Sequence, residues 1–209
     1  MGGTALVYVH GLWVSGREAF LFRKRLADSG YAWHTFEYAS TLSDMPAIAA
    51  ALAGFVADLG AERVHLVGHS LGGLVILRCL ASHPGLPPGR IVLLGTPCMT
   101  SRVAHTVGRF RFGRQMLGQA AVEELMHRHD RRWDGQRELG IIAGTRSISV
   151  SRLLVQFDED NDGTVAVSET QLAGVTAHLR LPVSHSGMLL SARVARETGS
   201  FLEHGRFGL

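Results

Sequence analysis

The chain of 209 residues carries only two cysteines, Cys79 and Cys98. That scarcity, with no CxxC pair, excludes a disulfide-stapled scaffold and leaves no zinc-site spacing. Two buried thiols are expected instead. No apolar run reaches the roughly 18 residues that span a bilayer, so stable membrane insertion is not expected. Met1-Gly2-Gly3-Thr4 has no basic region, and the apolar run behind it is too short for a secretory signal. A cytoplasmic location is the resulting expectation. Charged residues make up only 19% of the chain, with a net charge of +3. No aromatic-interleaved RNA motif or zinc finger is present, so no nucleic-acid partner is expected. There is also no internal repeat, low-complexity tract or long linker.

What is present is apolar sequence, 46% of the chain, punctuated by 25 glycines. That length and composition fit one domain, residues 1–209, able to bury a core of its own. Short, nearly continuous apolar runs predict strands at residues 4–9, 32–38, 63–67, 91–94, 139–143 and 178–183. Helical patterns fall between them at 16–28, 46–59, 71–82, 115–128 and 187–202. Pro46 suits a first helical turn and Gly60 a helix end. Strands alternating with helices predict the α/β class: a mostly parallel sheet of about six strands with helices on both faces.

Residues 99–138 break the alternation and are expected to form a small helical insertion, a lid or cap. Much of the basic character gathers in and around it: Arg102, Arg109, Arg111, Arg114, Arg128, Arg131, Arg132 and Arg137. A solvated helical face is the ordinary reading of such a run. The sharper one is a surface that meets anionic head groups, nucleic acid, or an acidic or phosphate-bearing substrate.

The pentapeptide Gly68-His69-Ser70-Leu71-Gly72 fits G-x-S-x-G. It follows the apolar run Val64-His65-Leu66-Val67 and opens a helical pattern, the strand–turn–helix context in which this motif presents a nucleophile. Glycines at 68 and 72 let neighbouring backbones approach where a side chain would clash. A serine that merely caps a helix would not need them. A serine hydroxyl needs a base to take its proton. Among 11 histidines, His185 lies just past the last predicted strand, ahead of a helix. His178 begins that strand and His204 ends the last helix.

These residues resemble the α/β-hydrolase superfamily, in particular its small lipase- and esterase-like members. The likeness covers nearly the whole chain. Its anchors are Val9-His10-Gly11, Gly68 to Gly73, Gly95-Thr96-Pro97, Asp162-Gly163 and His185. The resemblance implies Ser70 as nucleophile, His185 as general base and an acid between them in chain order. Asp158, Asp160 and Asp162 compete for that place, and Asp162-Gly163-Thr164-Val165 looks like the turn where small lipases put their acid. It also implies an oxyanion hole from the amides of Leu12 and Leu71, with Gly11 turning the first loop. Trp13 would wall the acyl pocket. The implied activity is hydrolysis of carboxylic esters, on a small-molecule ester or lipid, with no cofactor. A thioesterase on the same triad is the near alternative.

A rival of another class sits in the acidic loop. Asp158-Glu159-Asp160-Asn161-Asp162-Gly163, with Glu169 six residues beyond the glycine, matches the EF-hand pattern. A calcium-binding module on Asp158 to Glu169 would occupy Asp162 as a ligand, whereas a triad needs it facing His185. The β-branched run at 141–155 and Gly174 argue against the two helices an EF-hand requires, so no metal site is assigned.

Overall fold

The computed structural model describes residues 3–109, 111–126, 131–148 and 157–208. Arg128 and the stretch 149–155 lie outside the described residues, as do the side chains of Arg111 and Arg114. Six strands form one sheet: β1 (Thr4–Val9), β2 (Ala32–Phe36), β3 (Arg63–His69), β4 (Ile91–Leu94), β5 (Leu139–Gly144) and β6 (Ala177–Leu181). Their order is β2-β1-β3-β4-β5-β6, and every pairing is parallel.

Both faces of the sheet are covered, which is why its strands read as unbroken apolar runs. Along β1, Ala5, Val7 and Val9 enter one apolar cluster, and Leu6 and Tyr8 the other. Along β4, Ile91 and Leu93 divide from Val92 and Leu94 in the same way. The first cluster is closed by α2 (Met45–Asp58) and α3 (Leu71–Ser82); the second by α1 (Phe20–Arg25) and α6 (Ala192–His204). Asp44 caps α2 by accepting the Ala47 N–H at 2.8 Å, with Pro46 in its first turn as expected.

Chain order reverses at β1, which pairs with β2 on one side and β3 on the other. In open parallel sheets the crevice beyond such a switch point is where ligands bind. Here it brings the loop after β1 together with the turn after β3.

Several predicted boundaries move. The 16–28 helix is a 3-10 turn at Arg17–Ala19, the short α1 and a second 3-10 turn. The 187–202 helix is broken by Ser191, whose hydroxyl caps α6 at Val194 N–H, 3.3 Å. Between β4 and β5, residues 99–138 hold α4 (Arg102–Gly108), which the sequence pattern had hidden, and α5 (Arg111–Leu125). α5 bends at Gly118, whose φ is 77° and whose missing side chain would meet the Thr41 backbone at 2.4 Å.

Candidate active site

The turn after β3 is strained at its tip. Ser70 has φ 54° and ψ −122°, a left-handed conformation costly for a residue with a Cβ. The glycines make that turn possible by proximity. A methyl group on Gly72 would lie 2.1 Å from the Val9 carbonyl oxygen. One on Gly68 would lie 2.6 Å from the backbone of Gly73. α3 therefore begins pressed against the end of β1. The Ser70 N–H is held by the Leu94 carbonyl at 2.9 Å.

His185 and Asp162 meet beyond the ends of β4 and β5. Their side chains bond at 2.7 Å between Nδ1 and Oδ2, and the His185 N–H donates to the Asp162 carbonyl at 2.9 Å. Asp162 is 1% exposed. Its other oxygen, Oδ1, accepts the N–H groups of Thr164 at 2.8 Å and Val165 at 2.7 Å. A carboxylate only accepts, so this bond puts the imidazole proton on Nδ1 and leaves the Nε2 lone pair available. Gly95 makes room for the pair: a methyl there would stand 3.0 Å from Asp162 Oδ2 and 3.1 Å from His185 Nδ1.

The competing assignments separate clearly. Asp158 and Asp160 are exposed, facing Arg102 and Arg180. His178 bonds Thr170 Oγ1 at 2.8 Å, and His204 pairs with Glu203 at the end of α6. The acidic loop is not laid out as an EF-hand. Its exit side is a single 3-10 turn, Ser168–Thr170, and its entry side lies outside the described residues. Glu159 and Glu169 accept from Arg102, Glu169 through the Arg102 backbone N–H at 2.7 Å. Asp162 has both oxygens engaged.

The loop after β1 is stiffened by an aromatic pair. His10 stacks on Tyr38 with ring centroids 4.3 Å apart. Its Nδ1 donates to the Gly11 carbonyl at 2.8 Å, and its Nε2 accepts the Tyr38 N–H at 3.2 Å. Gly11 lies against the elbow: a methyl there would be 3.2 Å from Ser70 Cβ. The Trp13 N–H donates to Ser40 Oγ at 3.3 Å. The amides of Leu12 and Leu71 have no acceptor among the described residues.

One residue of the site went unassigned at the sequence level. His69 Nε2 donates to the His185 carbonyl at 3.1 Å, tying the end of β3 to the loop that carries the imidazole. Burial pulls its pKa down to about 3, with the neighbouring His185 adding to the effect. It therefore stays neutral beside that ring, 4.7 Å away. Its place directly before Ser70 was visible; its partner, 116 positions on, was not.

Ser70 and His185 line one cleft of about 560 Å³, together with Leu12, Trp13 and Leu71. α4 and α5 supply a wall through Val103, Ala104, Val107, Leu117 and Leu125. Three of the arginines there turn elsewhere: Arg102 to the acidic loop, Arg131 to Glu124 and the Cys98 carbonyl, Arg137 to the Leu86 carbonyl. Cys79 and Cys98 are both free and buried, as expected. Among the described residues no helix is long and apolar enough to cross a membrane.

Known proteins share this architecture. A Bacillus licheniformis lipase in its mature form superposes with a TM-score of 0.76 at 18% identity, over 99% of this chain and 93% of that one. A metagenomic carboxyl esterase gives 0.66 at 22% identity, over 88% and 65%. A thioesterase of the prodiginine biosynthetic pathway from Streptomyces coelicolor gives 0.63 at 14% identity, over 94% and 85%. No curated protein matches the sequence significantly. The profile of the alpha/beta hydrolase family matches residues 6–198. With that match spanning nearly all of the six-stranded sheet and the elbow it carries, the chain belongs to the alpha/beta hydrolase family.

Proposed function

We propose that this protein is a serine hydrolase that cleaves carboxylic esters through an acyl-enzyme on Ser70. The observation that carries the reading is the His185–Asp162 bond at 2.7 Å, facing the same cleft as the strained Ser70. That bond fixes the tautomer a general base needs. No direct hydrogen bond joins Ser70 to His185 here, and such contacts are often loose before substrate binds and tighten in its complex.

The chemistry follows from the residues. Ser70 Oγ adds to the ester carbonyl carbon while its proton passes to His185 Nε2. The negative oxygen is met by the free N–H groups of Leu12 and Leu71, donors that need no reorganisation. The C–O bond to the leaving alcohol breaks, and His185 returns the proton to that alcohol. Water then attacks the acyl-enzyme, its proton passing through His185 to Ser70. Asp162 stabilises the imidazolium in both steps, and its N–H bonds from Thr164 and Val165 hold it in place. The same sequence would serve a thioester, so the leaving atom is a matter for substrate comparison.

A fluorophosphonate probe should label Ser70, seen by peptide mapping, and a chromogenic ester should show a burst of alcohol release. Ser70→Ala should abolish both in folded protein. Wild-type ester cleavage by that variant would end the proposal.

A further inference from the structure

The described residues lining the cleft carry a charge of the sign opposite to the one the arginine run suggests. Of the described residues lining it, only Glu18, His69 and His185 have ionisable side chains, and no arginine or lysine is among them. His69 is buried and neutral, and His185 is committed to Asp162. Glu18 is left as the cleft's anionic group. It sits half-buried in the 3-10 turn before α1 and lines the cleft together with Trp13, Val14 and Leu190.

Glu18 is oriented as well as present. The hydroxyl of the fully buried Tyr8 donates to its Oε1 at 3.1 Å. Its second oxygen has no protein partner among the described residues. Arg25 of α1 does not line the cleft, and its Nη1 donates to the carbonyl of Leu190, which does. A carboxylate held by one neutral donor on a mostly apolar wall keeps its charge available to a ligand, and the apolar surroundings weaken the screening of that charge.

We propose that Glu18 is a specificity-determining residue: it favours esters that carry an ammonium group or a hydrogen-bond donor and rejects esters that carry a free carboxylate or phosphate. This rests on the reading of the cleft as an ester-hydrolysing site. A purely structural Glu18 would serve only as acceptor for Tyr8, and a glutamine would do that equally well. Glu18→Gln therefore separates charge from scaffolding.

The test uses nitrophenyl esters of three acyl chains of equal length, ending in methyl, ammonium or carboxylate. A second trio carries the same tips on the alcohol side, so either orientation of the ester is probed. The wild-type enzyme should prefer the ammonium tip to the carboxylate tip by about tenfold or more in kcat/KM in at least one trio. Glu18→Gln should shrink that ratio to within about threefold, and raised salt should shrink it in the wild type. A ratio near one in the wild type, or one unmoved by Glu18→Gln, overturns the proposal. Failure of the ester-hydrolase reading shows differently, as no turnover of the methyl-tipped esters. The same tip preference is then read from calorimetric affinities of the uncleaved esters, with the same two outcomes deciding.

Discussion

The elbow at residues 68–73 and the surface of residues 99–138 border one cleft but are held in different ways. At the elbow each constraint is steric and short-range: a turn with φ 54° at Ser70, and glycines whose missing side chains would strike neighbouring backbone. Among the described residues of 99–138 only Gly118, against the Thr41 backbone, is held in that way, and the surface rests on ion pairs, Arg102 reaching Asp158 and Glu159. Backbone collisions cannot be relieved by a side chain swinging away, whereas partly exposed ion pairs can rearrange or be replaced by water. Changes at the elbow and its companions should therefore be severe, and changes to the surface of residues 99–138 mild.

The largest expected effect is on the chemistry. Asp162→Asn should lower kcat by roughly a thousand- to ten-thousandfold while the protein stays folded, because the amide no longer enforces the Nδ1–H tautomer. Steady-state kinetics with circular dichroism check this. A loss under tenfold would mean that the 2.7 Å bond is structural only.

Next is Gly72→Ala, which drives a methyl to 2.1 Å from the Val9 carbonyl oxygen. It should cost about 3 kcal/mol, or a Tm drop of about 6–12 °C by calorimetry. A near-neutral result would show that α3 can move away from β1.

Acid should weaken the molecule through two buried imidazoles. His69 and His65 are held neutral, with pKa values pulled down by burial to about 3 and about 4. His65 Nδ1 also accepts the Arg90 N–H at 2.9 Å, a bond only the neutral ring can make. In the unfolded chain both titrate near 6.5, so between that pH and about 4 the unfolded state binds more protons. The stability they contribute is complete above pH 6.5 and is lost as pH falls toward their folded values. A loss of up to about 5 kcal/mol between pH 7 and 4.5 is expected, about half from each ring, and His65→Gln should flatten the slope of Tm against pH. An unchanged slope in that variant would remove His65 from the account.

Smallest is Arg102→Ala. Its side chain is 41% exposed, its Nε stands a long 4.0 Å from Glu169, and the hydrogen bond to that buried carboxylate comes from the backbone N–H, which the substitution keeps. The cost should stay below about 1 kcal/mol in denaturant melts. A penalty matching that of Gly72→Ala would erase the contrast between the two regions.

The difference in legibility has the same origin. β1, β3 and β4 could be placed because a strand covered on both sides must be apolar throughout, and Ser70 because its turn demands glycine at fixed offsets. α4 was hidden because its seven residues, Arg102–Gly108, carry too little pattern. His69 and Glu18 escaped notice because a histidine or a glutamate reveals nothing until its partner is known. The arginine run suggested an anionic ligand, yet three of its members turn to carboxylates and carbonyls of the protein itself.

Local stereochemistry, written in glycine spacing and apolar alternation, was enough by itself to determine an α/β sheet with a serine at the tip of one turn. Only the folded chain decided which aspartate faces His185, what holds that imidazole in place and which charge the cleft presents. Those depend on side chains converging from distant segments, and pairwise distance in space is not encoded in spacing along the chain.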